Sequence, residues 1–226
     1  MTTYVQRDVR QLANVTDLES FTTFLRLCAG RSGQELSLSH LGADAGVSQP
    51  TARAWLSVLE ASFLCHRLSP WHRNVRKRTI KATKLHFLDS GLMCFLIGIR
   101  SPDQLATHPL RGAVFETWVV SEIYKARANA GQTVRLSHYR ETRGAEVDVV
   151  VETARALIMV EAKSGATVAG DLSRGLDVLG EHMARLEPGR TLDKLIVYGG
   201  ERPGQIRDVR IVPWADVPSV PWDDRR

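Results

Sequence analysis

The chain has 226 residues, 43% hydrophobic and 24% charged, an ordinary balance for a protein that buries one large core or two small ones. A formal net charge of +5 favours an acidic partner, although net charge governs nonspecific attraction and says nothing of fold or reaction. The longest apolar run, residues 92–99, is far too short to span a bilayer, and residues 1–10 hold no apolar stretch after a basic start, so a cytoplasmic protein is expected.

Residues 12–29 place Leu18, Phe21, Phe24, Leu25 and Cys28 at helical spacing, with Thr16 or Asp17 to cap the start and Gly30 to end it. Residues 39–48 and 49–59 then read as a short helix, a turn at Gly46, a Ser48 cap with Pro50 in the first turn, and a second helix. This pattern is similar to a helix-turn-helix of the bacterial winged-helix type. The second helix would turn Gln49, Thr51, Arg53 and Ala54 outward, and Arg53 is the strong base or phosphate contact among them. β-rich runs at 63–68 and 84–88 would form the wing strands. Between them stand Arg73, Arg76, Lys77, Arg78, Lys81 and Lys84 without an acid, flanked by Trp71 and His72. Such a loop is expected to neutralise DNA phosphates with strong salt dependence, or else to be a solvated loop or a surface for an acidic partner domain.

Residues 86–92 followed by 93–99 read as strand, turn and buried helix, with Asp89 as the cap rather than a catalytic acid. The proline-containing stretch 100–109 is the expected boundary, giving a first domain over 1–100, a second over 101–213 and a tail over 214–226 that is expected to be weakly ordered from 217 on. The second domain opens with a helix over 112–128 that carries Val114, Phe115, Trp118, Val119 and Ile123 among the acids Glu116 and Glu122. Strands follow at 134–139, 147–152 and 157–163, then a helix over 169–186, a buried strand at 195–198 and a short edge strand at 209–212. Cys28, Cys65 and Cys94 are odd in number, far apart and in apolar surroundings, as expected of reduced core thiols.

The second and third of these strands, joined by a four-residue turn at 153–156, form a hairpin. If the turn closes tightly, Glu152 faces Leu157, and counting back sets Asp148 opposite Glu161 and Glu146 opposite Lys163, all on one face. Three carboxylates and an ammonium on an otherwise apolar hairpin are costly to bury unless they pair or bind a cation. Mg²⁺, or Mn²⁺ in its place, suits Asp148, Glu161 and the Ala162 carbonyl, and it leaves positions for phosphate and water. Lys163 would orient that water or help deprotonate it. The competing reading is a solvated face whose charges pair across the hairpin.

The order of elements, with Glu116 in the helix, Asp148 in the second strand and Glu161 and Lys163 in the third, resembles the PD-(D/E)XK nuclease superfamily. The resemblance implies an α/β protein in which a mostly helical winged helix-turn-helix precedes a nuclease-like α-β-β-β-α-β core. It also implies that Glu116, Asp148 and Glu161 bind or position metal while Lys163 places the attacking water. Val147 stands where that pattern has proline. The succession of 4–10, the winged helix, His86-Phe87-Leu88-Asp89-Ser90-Gly91-Leu92, Gly112-Ala113-Val114-Phe115-Glu116 and Gly144-Ala145-Glu146-Val147-Asp148 resembles the C-terminal region of a large family of prokaryotic AAA-type ATPases. The likeness runs to about residue 213. It implies an ATPase module as partner, since no G-x-x-x-x-G-K-[ST] phosphate loop occurs in this sequence.

Two functions follow as expectations: a Mg²⁺-dependent phosphodiesterase acting on DNA, or a noncatalytic DNA- or protein-binding module that keeps the nuclease fold as scaffold. His138 is expected to be a surface group of an edge strand. Arg140 and Arg143 could touch phosphate or pair with Glu141. The five tryptophans are too scattered for a base-stacking platform.

Overall fold

The computed structural model describes residues 17–71, 82–141, 144–168 and 173–222. The chain is a mixed α/β protein with two compact units, Met1–Arg67 with Ala82–Thr117, and Leu68–Lys81 with Trp118–Arg226. This partition differs from a cut at residue 100. Leu105, Ala113 and Val114 pack into the core of the first unit, and Trp71 joins the core of the second.

In the first unit, α1 (Leu18–Gly30) starts at Asp17, whose carboxylate accepts the Ser20 N–H. Ser37 caps α2 (Leu38–Asp44), and Ser48 caps α3 (Gln49–Ala61), which has Pro50 in its first turn. Gly46, at φ +72°, makes the reversal between them, where a side chain would be strained. Trp55 of α3 meets Phe21 and Phe24 of α1 edge-on, with ring centroids 5.2 and 5.4 Å apart. Each such buried side chain contributes roughly 1.5–3 kcal/mol of hydrophobic stabilisation. Two strands follow, β1 (Cys65–Pro70) and its neighbour β2 (Lys84–Phe87). Asp89 caps α4 (Ser90–Leu96) by accepting the Leu92 N–H at 2.9 Å, the role expected of it. Next come α5 (Pro102–Thr107) and the opening residues of α6 (Arg111–Asn129). Cys28 and Cys65 are buried free thiols in this core, and desolvation pushes Cys28 up to about 12, which leaves it unreactive.

The second unit contains β3 (Leu136–Arg140), β4 (Glu146–Glu152), β5 (Ala156–Lys163), α7 (Arg174–Leu186), β6 (Thr191–Tyr198), β7 (Gly204–Ile206) and β8 (Val209–Pro213). Its strand order begins with the end of β1 and runs β1-β3-β4-β5-β6-β8-β7. Ser69 and Pro70 pair in parallel with Ser137 and His138, β3-β4-β5 is an antiparallel meander, and β5, β6 and β8 are parallel. β7 is a short edge partner of β8 that periodicity does not reveal. The crossover helix α7 buries Leu176, Leu179 and Met183 against Val150, Leu157 and Met159, which all point to one face of the hairpin.

The expected weakly ordered tail is an error through residue 222. Trp214–Ser219 forms a 3-10 helix, Val217 and Trp222 are buried, and the Trp222 indole donates to the Val217 carbonyl at 2.9 Å. The buried Arg127 guanidinium also donates to the Trp222 carbonyl. A polar, proline-containing segment thus folds back because the Trp222 side chain finds a core.

Candidate functional site

The hairpin register is the one that its short turn demands. Glu152 pairs with Leu157, Val151 with Ile158, Val150 with Met159 and Val149 with Val160. Thr153 closes the turn, its N–H donating to the Ala156 carbonyl. Arg190 clamps the turn from outside by donating to the Thr153 and Ala156 carbonyls. Side-chain alternation along β5 puts Glu161 and Lys163 on the face that carries Leu157 and Met159, which pack against α7.

Asp148 occupies a break in the sheet. Ser137 pairs with Val150 and Tyr139 with Val147, so the single residue His138 stands opposite both Asp148 and Val149. Two residues facing one is a β-bulge, which twists the strand and re-aims the side chain there. The Asp148 Oδ2 atom accepts the Ala162 N–H at 2.8 Å.

Asp148 is 8% exposed and Glu161 is 9% exposed, so two carboxylates lie out of water on adjacent strands. Lys163 Nζ donates to Glu161 Oε1 at 2.6 Å. The other oxygen, Glu161 Oε2, is buried and has no hydrogen-bond partner among the described residues. Desolvation, followed by repulsion from Asp148, pushes the Glu161 carboxyl up to about 7, against the pull of Lys163. Glu146 adds a smaller repulsion from the same region. The donor set is hard oxygen, which suits Mg²⁺ or Mn²⁺, and an orphaned carboxylate oxygen is the feature that a cation would satisfy. Among the described residues no group of three or more His, Cys, Asp and Glu side chains is placed to hold a metal.

Glu116 makes polar contacts within its own unit. Within the first unit it accepts from the Lys84 ammonium at 3.0 Å and lies 3.7 Å from His86 Nε2. His86 Nδ1 is 3.3 Å from the Thr117 hydroxyl, which in turn is 2.8 Å from the Ser32 hydroxyl. Lys84 is therefore a buried ion-pair partner and not a member of a solvent-facing phosphate loop. Arg53 is exposed on α3, as expected, while Arg73, Arg76, Lys77, Arg78, Lys81 and Arg143 lie outside the described residues. His138 corrects the expectation of a surface group: it is 2% exposed, because β3 is flanked by β1 and β4 and is not an edge. Glu141 accepts the Tyr139 hydroxyl, and burial together with this carboxylate raises the phenol above its usual range.

Two glycines next to the site escaped the sequence reading. A Cβ on Gly175, in the first turn of α7, would lie 1.7 Å from the Glu146 carbonyl oxygen, and one on Gly199, just after β6, would lie 2.5 Å from the Ser164 carbonyl oxygen. The only local signal was a glycine inside a helix and a Gly-Gly pair directly after a strand.

Two family models match the chain, each described as a domain of unknown function: DUF8612 over residues 1–103 and DUF4143 over residues 111–217. Similar curated proteins include the uncharacterized protein Mb2031c of Mycobacterium bovis and the uncharacterized protein Rv2008c of Mycobacterium tuberculosis. Each is 28% identical over 216 residues, which is 96% of this chain and 46% of the relative. The chain therefore spans just under half the length of the curated relatives it matches. No helix among the described residues is long and apolar enough to cross a membrane.

Proposed function

We propose that the second unit carries a divalent-cation-dependent phosphodiesterase site in a PD-(D/E)XK nuclease-like core, and that the first unit is a winged helix-turn-helix that holds DNA. The observation that carries this reading is the buried Asp148 and Glu161 pair, with one Glu161 oxygen lacking a donor among the described residues. Asp148, Glu161 and the Ala162 carbonyl hold Mg²⁺, or Mn²⁺ in its place. A cation bound there supplies Lewis-acid polarisation of the phosphate and acidifies a coordinated water. Asp148 stays anchored through the Ala162 N–H, which holds its carboxylate in place on the strand. Lys163, whose side chain is 32% exposed, orients the attacking water or meets the charge developing on a phosphate oxygen. Arg53, Arg73, Arg76, Lys77, Arg78 and Lys81 neutralise the DNA backbone. Because the second matching domain is typically found with AAA ATPases, an ATPase module is the natural partner.

Cleavage of supercoiled and single-stranded DNA in Mg²⁺ tests this reading. Activity that survives Asp148→Ala or Lys163→Ala sinks it.

A second reading, a noncatalytic DNA- or protein-binding module, draws support from the pairing of both key cations. Lys163 already neutralises Glu161 at 2.6 Å, and Lys84 already holds Glu116 at 3.0 Å. Salt-dependent DNA binding that is indifferent to divalent cations favours this reading.

A further inference from the structure

We propose that Gly175 and Gly199 are positioning residues, one for each strand of the carboxylate hairpin. The purpose of that positioning rests on the function proposed above. Neither glycine has a left-handed backbone, so the requirement is space and not conformational freedom.

Gly175 brings the first turn of α7 onto the backbone of Glu146, two residues before Asp148. A Cβ there would fall 1.7 Å from the Glu146 oxygen and 2.8 Å from its carbonyl carbon, where real contacts stay beyond 3.0 Å. Backbone cannot rotate aside as a side-chain tip can, so helix and strand must separate by about 1 Å or more. Leu176, Leu179 and Met183 anchor the helix in the core, which leaves the start of β4 as the part that yields.

Gly199 does the same at the other strand. Its N–H donates to the Lys163 carbonyl at 2.9 Å and to the Gly165 carbonyl at 3.0 Å. A Cβ on it would meet the Ser164 oxygen at 2.5 Å and the Ser164 carbonyl carbon at 3.1 Å. Residue 164 directly follows Lys163, so a push there travels into Lys163 and Ala162. The two close approaches thus fix both ends of a contact that joins the strands at the site, Asp148 Oδ2 to the Ala162 N–H at 2.8 Å.

The test is amide hydrogen exchange on the metal-free full chain for wild type, Gly175→Ala, Gly199→Ala and Leu179→Ala. Leu179→Ala weakens α7 without pushing on either carbonyl. The expected result is that Ala162 exchanges about tenfold faster in each glycine variant relative to Val160, which sits in the intact ladder, whereas Leu179→Ala accelerates both amides alike. Equal acceleration of Ala162 and Val160 in the glycine variants overturns the proposal. Should one glycine variant not fold, the other decides by the same ratio. Mn²⁺ titration of the same samples keeps the two ideas apart: a wild type that binds no Mn²⁺ refutes the metal reading, while the amide ratio still judges the positioning.

Discussion

The Asp148 carboxylate accepts the Ala162 N–H at 2.8 Å, so a side chain of β4 closes the hairpin beyond the last main-chain pair, Val149 with Val160. On the β3 side the ladder is interrupted by the bulge at Asp148 and Val149 and resumes at Val147, while on the β5 side the Asp148 side chain stands in for a main-chain pair. That exchange holds a carboxylate at a fixed place beside Glu161, and the repulsion between them is the electrostatic basis of the site.

That repulsion has a pH signature. Glu161 titrates near 7 in the folded chain against an ordinary value of 4.5, so the native state binds its proton more tightly than the unfolded state does. The stabilisation from this group is full below about 4.5, falls as pH rises toward 7 and is flat above that. Glu161→Gln removes this part of the profile and is more stable than wild type at pH 8 without divalent cation. Urea unfolding at pH 5 and pH 8 checks both statements; parallel profiles for wild type and variant contradict them.

The Lys84 and Glu116 pair makes a different demand. Lys84 has 5% of its side chain exposed, so Glu116→Ala strands an ammonium in the core and costs about 3–5 kcal/mol. The double variant Lys84→Met/Glu116→Leu recovers most of that loss. A double-mutant cycle by chemical denaturation measures it, and a cost under about 1 kcal/mol for the single variant rules out a structural pair.

Trp222→Ala empties a buried site and removes the hydrogen bond to the Val217 carbonyl. The expected cost is about 3–5 kcal/mol, seen as a lowered urea midpoint with the slope unchanged. A weakly ordered tail predicts no change.

What sequence made legible was local. Asp17, Ser48 and Asp89 cap the helices they precede because capping involves residues three apart. The hairpin register from Glu152–Leu157 to Val149–Val160 followed from the short turn, whereas the bulge opposite His138, which interrupts the alternation at Asp148, has no local mark. The rest depended on contacts between distant residues. Nothing near Glu116 marks Lys84 as its partner, 32 residues away, and nothing near Gly175 marks the Glu146 carbonyl. His138 went wrong for the same reason: β1, far back in the chain, covers the edge that β3 otherwise presents. The helix at 112–128 kept its predicted span almost intact, yet its first residues pack with the first unit, because residues 111–117 find their apolar partners there.

The proposed DNA contact of the first unit carries an electrostatic prediction. Arg53 is exposed on α3, and Arg53→Ala is expected to flatten the dependence of log affinity on log salt by about one unit, with the remaining slope owed to the basic residues at 73–81. An unchanged slope removes Arg53 from the contact surface.

The central claim is that Asp148 and Glu161 form a divalent-cation site, and calorimetric titration of Mn²⁺ and Mg²⁺ into wild type and Asp148→Ala tests it most directly. The account predicts binding by the wild type that releases protons and tightens as pH rises toward about 7, where the cation displaces the Glu161 proton, with loss of binding in Asp148→Ala. A wild type that takes up neither ion at pH 8, or an Asp148→Ala variant that binds both as tightly as wild type, contradicts it.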